Sequence, residues 1–112
     1  PRETAIGALG HYISNPNATG SEQRGDRPAI VVSNDKANRY SSVLQVVFLT
    51  RRHKTNLPTH IPVLSFGPTS TALCEQITSV DMSRVGTYEG KITEDEMRAI
   101  DRGLLVSLGI AQ

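Results

Sequence analysis

Apolar residues in this chain fall into short runs rather than one long periodic stretch. Ala29-Ile30-Val31-Val32 and Val43-Leu44-Gln45-Val46-Val47-Phe48-Leu49 are dominated by β-branched residues, the signature of buried strands. Residues 5–13 fit a short first strand interrupted by Gly7 and Gly10, and residues 14–28 read as a long loop rich in Asn, Pro, Gly and Ser. Asn34 to Arg39 has turn chemistry, and Arg51 to Asn56 is a polar, basic loop. Thr59 to Leu64 reads as a further strand, with Pro58 and Pro62 indicating an edge or irregular position. Ser65-Phe66-Gly67-Pro68 turns the chain, Thr71 to Val80 forms a strand with a bend, and Gly86 to Ile92 forms the last. After Ile92 the period changes. Thr93-Glu94-Asp95-Glu96 has the form of a capping box, Met97, Ile100, Leu104, Leu105 and Leu108 make one apolar helix face, and Gly109 is a natural stop. The pattern predicts an α+β fold: a small barrel or strongly curved sheet of short, mostly antiparallel strands, covered by one amphipathic C-terminal helix.

The 112 residues suit a single domain spanning 1–112. A net charge of +1 announces no polyanionic partner, so any nucleic-acid surface must be a local patch. Cys74 is the only cysteine, which excludes a disulfide within the chain, and its place in a strand predicts a small buried hydrophobe. No apolar run approaches the roughly 20 residues of a membrane span, and nothing resembles a signal peptide, so the expectation is a cytoplasmic protein with no membrane association. His11, His53 and His60 lack metal-ligand spacing, and neither a metal nor a cofactor is expected. Arg24-Gly25-Asp26 reads as a chance match to a cell-adhesion tripeptide, and the sequon Asn17-Ala18-Thr19 would require a secretory route that the chain is not expected to take.

Beyond this point a family resemblance carries the reading. Gly20-Ser21-Glu22-Gln23-Arg24-Gly25-Asp26-Arg27-Pro28, followed by Ala29 to Asp35, closely resembles the GSEQxGxRPxxxxSND signature of MazF/PemK toxins. Val46-Val47-Phe48-Leu49-Thr50 resembles the family strand that ends in a threonine, Leu57-Pro58-Thr59-His60 its LPTH segment, and Leu73-Cys74-Glu75-Gln76-Ile77 its (L/C)EQI strand. Asp81 and Arg84 resemble the turn after it, and Thr93 to Leu108 the final helix. The resemblance spans roughly residues 12–110 and is strongest from 20 onward. Ile6 to Ser14 departs from it, standing where relatives carry an acidic, aromatic RGDIYxxDL-like segment, and Arg24 stands where relatives often have a small residue.

The resemblance implies a small CcdB/PemK-type, SH3-like barrel and the toxin of a type II toxin–antitoxin system. The implied activity is a metal-independent, sequence-specific endoribonuclease that cuts single-stranded mRNA and so stops translation. Without a metal, the RNA's own 2′-hydroxyl attacks the adjacent phosphorus, leaving a 2′,3′-cyclic phosphate and a 5′-hydroxyl. Such an enzyme must move protons and stabilise the extra charge on the phosphorane. Arginine suits the second task because its planar fork holds two phosphate oxygens, and a threonine hydroxyl can donate another hydrogen bond. Arg27 and Thr50 match the two catalytic positions. Arg27 ends the loop before one strand and Thr50 ends the next, so antiparallel pairing brings both to one rim. Arginine is a poor general base, with a pKa above about 12, so Arg27 is assigned to phosphate binding, with proton transfer left open.

Substrate-binding candidates are Ser21, Glu22, Gln23 and Arg24 on the preceding loop, Arg51, Arg52 and Lys54 in the basic loop after Thr50, and Gln76. Glu22 can accept a proton, contact a base or hold the loop by bonding to backbone, the last being the leading reading. Glu75 is read as structural. For each cation the plain alternative is a solvated surface charge, and for Thr50 a strand-end cap. The implied partners are single-stranded RNA, a second copy of the chain in a symmetric homodimer, and a MazE-like antitoxin with an acidic tail. In that dimer the helix face with Leu104, Leu105 and Leu108 is expected to pack on its own barrel. Two alternatives keep the fold: a CcdB-like toxin that binds DNA gyrase and cleaves nothing, and a non-catalytic RNA-binding module.

Overall fold

The computed structural model describes residues 9–15, 25–52 and 56–110, without the side chains of 9–15, 25–26, 37 and 87–89. Seven strands and two α-helices follow in the order β1 (Leu9–Asn15), β2 (Gly25–Val31), α1 (Asp35–Tyr40), β3 (Val43–Thr50), β4 (His60–Pro62), β5 (Thr71–Leu73), β6 (Thr78–Asp81), β7 (Val85–Lys91) and α2 (Glu94–Leu108). The strands form one sheet in the order β4-β5-β3-β2-β1-β7, with β6 also on β3, and every pairing is antiparallel. The α+β expectation of a curved antiparallel sheet with a C-terminal helix holds.

The two strong apolar runs are continuous because the sheet is buried on both faces there. Ile30, Val32, Val47 and Leu49 join Met97 and Ile100 of α2 in one core cluster. Ala29, Val31, Leu44, Val46 and Phe48 join Val80 in a second, with Val85 packed against it, so that every contributor is a strand residue. Strand alternation divides the two sets. The helix covers one face of the sheet, and the strands themselves build the other.

Several boundaries differ from those read in the sequence. The loop expected over 14–28 gives way to paired strand at both ends, since Asn15 pairs with Gly25, Ser14 with Asp26 and Ile13 with Arg27. Arg27 therefore lies inside β2 rather than on the loop before it. Turn chemistry at Asn34 to Arg39 folds instead as α1, where Asn38 donates through Nδ2 to the Ser33 carbonyl at 3.0 Å, and the Ser33 hydroxyl accepts the Gln45 N–H at 3.2 Å. The Ser-Asn-Asp segment thus stitches the end of β2 to β3. The strand expected from Thr59 to Leu64 shrinks to β4, because Leu64–Phe66 coils into a one-turn 3-10 helix. The expected bend between Thr71 and Val80 is a 3-10 turn, Cys74–Gln76, separating β5 from β6 along the same edge of β3. Another such turn, Met82–Arg84, leads into β7, with the Asp81 carboxylate accepting the Ser83 N–H.

Helix α2 begins as anticipated. Thr93 accepts the Glu96 N–H at 3.1 Å while Glu96 accepts the Thr93 N–H at 2.8 Å, and Gly109 closes the other end at φ 69°, a left-handed conformation that favours glycine. Its anticipated apolar face is buried or partly buried except at Leu108. Met97, Ile100 and Gly103 are buried, Leu104 is partly buried against the core, and Leu108 is 58% exposed. Gly103 lets the helix lie close to Cys74 and Ile61. The described residues contain no helix long and apolar enough to cross a membrane.

Candidate active site

The β2–β3 ladder pairs Ala29 with Phe48, Ile30 with Val47 and Val31 with Val46. Continued in the same register, it sets Arg27 opposite Thr50. Pro28 brings no N–H to the ladder, and the pairing with β3 starts just beyond it at Ala29. Alternation then puts Arg27, Ala29 and Val31 on the same face as Val46, Phe48 and Thr50, the face away from α2. On that continued register, Arg27 and Thr50 share one rim.

Arg27 is half-buried, and its guanidinium carbon sits over the Phe48 ring, 4.5 Å from the centroid. Its Nε is buried and meets no hydrogen-bond acceptor among the described residues. Burial lowers the Arg27 pKa from its ordinary value. An arginine held this way retains a cationic head for an anion arriving at the rim. Thr50 pairs with Thr71 on β5 and accepts the Arg52 N–H through Oγ1 at 3.2 Å. That bond uses an oxygen lone pair and leaves the hydroxyl proton to donate elsewhere. Arg51 and Arg52 follow at once and are exposed.

Gln76 is exposed at the end of the 3-10 turn between β5 and β6, against the middle of β3. Beside it, Glu75 bonds to His60 Nε2 at 2.8 Å. This contact joins the LPTH and EQI segments, and the Cys74 N–H adds a bond to the Thr59 carbonyl at 2.9 Å. Burial raises the Glu75 pKa, but hydrogen bonds from His60 and Thr59 outweigh it and the net shift is downward. The structural role read for Glu75 fits this geometry. Cys74 is buried, its thiol directed to the Ile100 carbonyl at 3.7 Å and its pKa pushed up to about 12, first by burial and then by Glu75 and Asp101. Such a thiol is a packing group rather than a nucleophile.

Ser21, Glu22, Gln23, Arg24 and Lys54 lie outside the described residues. Among the described residues, no three His, Cys, Asp or Glu side chains stand close enough to hold a metal ion. Sequence reasoning missed Phe48 as the partner of Arg27 and His60 as the partner of Glu75. The first could have been found by alternation, since Phe48 precedes Thr50 by two residues and shares its face. The second had no local signal, because it joins segments far apart in the chain.

Fold and rim together define a small α+β protein with arginine side chains gathered where its central strands β2 and β3 begin and end. Residues 12–108 match the sequence profile of the PemK-like, MazF-like toxins of type II toxin–antitoxin systems, and the chain belongs to that family. Solved structures share the fold. An endoribonuclease from a mycobacterial species, in complex with its cognate antitoxin, superposes with a TM-score of 0.77 at 24% identity, over 94% of this chain and 95% of that one. MazF from Deinococcus radiodurans gives 0.74 at 26% identity, over 92% and 94%. A MazE–MazF complex from the same organism gives 0.73 at 21% identity, over 94% of both chains.

Proposed function

We propose that this toxin is a sequence-specific endoribonuclease that cuts single-stranded RNA without a metal, by attack of the RNA 2′-hydroxyl on the adjacent phosphorus. The observation that carries this reading is the Arg27 guanidinium over the ring of Phe48, two residues before Thr50 on the same strand, and the β2–β3 register, continued past Ala29 and Phe48, sets Arg27 opposite Thr50. The neighbour described as an endoribonuclease supports it.

In this mechanism the scissile phosphate docks at the rim. Arg27 donates to its non-bridging oxygens and Thr50 donates its hydroxyl proton to the same group. As the 2′-oxygen bonds to phosphorus, negative charge builds on the equatorial oxygens. Interactions that strengthen with that charge lower the barrier. The 2′-hydroxyl gives up its proton as its oxygen bonds to phosphorus, and a proton is delivered to the 5′-oxygen as the P–O5′ bond breaks, so that the 2′,3′-cyclic phosphate and a 5′-hydroxyl form with no net change in protons. Arg51, Arg52 and Lys54 guide the flanking phosphates, and Gln76 together with Ser21, Glu22, Gln23 and Arg24 contacts the bases. Reading bases this way requires them to be unstacked, which selects single strands over duplex. We further propose that two copies form a symmetric dimer and that a MazE-like antitoxin with an acidic tail covers the same basic surface, in the cytoplasm.

The test is incubation of the pure protein with a defined single-stranded RNA and EDTA, followed by mapping of both ends. Cleavage leaving 5′-hydroxyl ends is expected, and Arg27→Ala in a folded protein should slow it by at least about a hundredfold. No cleavage by the wild type would favour a toxin that acts by binding alone. Near-normal cutting by Arg27→Ala would remove Arg27 from the chemistry.

A further inference from the structure

We propose that Phe48 is a positioning residue for RNA cleavage, its ring holding the Arg27 guanidinium in place at the rim. The inference rests on the reading of Arg27 as the phosphate-binding arginine. A long arginine side chain is costly to order, losing up to about 2 kcal/mol of rotamer entropy. Proteins often fix one with a carboxylate, but a carboxylate would also neutralise the charge a phosphorane needs. At this site Nε meets no acceptor among the described residues, and the contact observed is with an aromatic face, 4.5 Å from guanidinium carbon to ring centroid. The ring quadrupole attracts the cation without adding a negative charge. A ring contact of this kind holds Arg27 without cancelling its charge.

Phe48 is itself well anchored. It is 5% exposed and belongs to the strand-built cluster with Ala29, Val31, Leu44, Val46 and Val80. Ala29 lies directly opposite it in the ladder, and Arg27 is two residues further along the same face. That makes Arg27 and Phe48 diagonal cross-strand neighbours, a spacing that long and aromatic side chains can bridge. Ala29 leaves room for the guanidinium to reach back over the ring. If Phe48 only filled the core, replacing it would cost stability without a specific effect on the chemical step.

A matched pair of variants separates these two roles. Phe66 is half-buried and packs against the helix-side cluster, so Phe66→Leu serves as the control for Phe48→Leu. Saturating, single-turnover cleavage of a defined RNA should be about tenfold slower for Phe48→Leu, with KM within about twofold, whereas Phe66→Leu should stay within about twofold of wild type in both. In an Arg27→Ala background, Phe48→Leu should add no further loss. The inference is overturned if Phe48→Leu slows cleavage no more than Phe66→Leu does, or if its effect persists undiminished without Arg27. If Arg27→Ala alone cuts normally, the assignment of Arg27 fails first, a result distinct from both. A spectroscopic measurement on the wild type covers a Phe48→Leu protein that does not fold. The Arg27 Nε–H proton should resonate upfield of those of the exposed Arg51 and Arg52 because of the ring current, and coincidence with them would equally overturn the inference.

Discussion

Glu96 carries three contacts on one carboxylate. It closes the capping box at Thr93, and it also accepts the N–H and hydroxyl of Ser65, tying the turn after β4 to the start of α2. Burial raises its pKa, but the bonds from Ser65 and Thr93 prevail and leave it below the ordinary value of 4.5. Glu75, bonded to His60, shifts the same way. The linkage has a definite sign. A carboxyl whose folded pKa is depressed binds fewer protons folded than unfolded, so its stabilisation is present above the unfolded pKa and is lost as pH falls through the folded one. We expect the melting temperature to fall as pH drops below about 4.5, and Glu96→Gln to flatten part of that dependence. An acid profile of Glu96→Gln parallel to that of the wild type would mean that Glu96 does not contribute in this way.

At the level of elements, the docking of α2 turns on one residue without a side chain. A Cβ built on Gly103 would lie 2.8 Å from Cys74 Sγ and 3.2 Å from Ile61 Cγ1. Alanine would gain about 1 kcal/mol in helix propensity, but overpacking a filled core costs about 1–3 kcal/mol, and the buried, short Cys74 side chain has little room to yield. Gly103→Ala should therefore lower the melting temperature. Adding Cys74→Ala should recover part of the loss, so that the double variant is more stable than the sum of the singles predicts. Strictly additive melting temperatures would show that the two residues do not compete for space. The apolar periodicity of α2 and both of its caps were legible because they depend on nearby residues. Leu108 continues the same apolar period but is exposed, and the close approach of Gly103 to Cys74 had no local signal because it joins distant segments. The same division holds elsewhere. The runs in β2 and β3 announced buried strands, whereas α1 was hidden behind turn-forming residues and is held by Asn38 bonding back to Ser33. At the site, the family motif marked Arg27 and Thr50, and ladder register supplied their common rim. Phe48 escaped notice because an aromatic in an apolar run looks like core until its neighbour's guanidinium is found above it.

At the scale of the molecule, exposed apolar side chains of the described residues include two groups. Tyr40, Val43 and Met82 are exposed and gather at one end of β3, since Val43 pairs with Asp81 and the Met82 N–H bonds to the Ser42 carbonyl at 2.7 Å. Val106, Leu108 and Ile110 are exposed at the end of α2. Apolar surface of this kind supports the proposed dimer, and light scattering at micromolar concentration should then give twice the chain mass, a stable active monomer refuting it. The basic loop makes a separate prediction about the antitoxin. Arg51 and Arg52 are exposed immediately beyond Thr50, where an acidic segment would both neutralise them and block the rim. A disordered tail that folds on binding has to offset its ordering entropy, and charge complementarity supplies attraction and fast encounter. Changing Arg51, Arg52 and Lys54 together to Ala removes those charges while keeping the Arg52 backbone N–H that bonds to Thr50, so the Thr50 hydroxyl should keep its place. The tail should bind the triple variant at least about tenfold more weakly at low salt, and the difference should shrink as salt screens the remaining charge. Titration of a labelled tail peptide against both proteins at two ionic strengths measures this. Equal affinity at low salt would place the antitoxin contact elsewhere on the toxin.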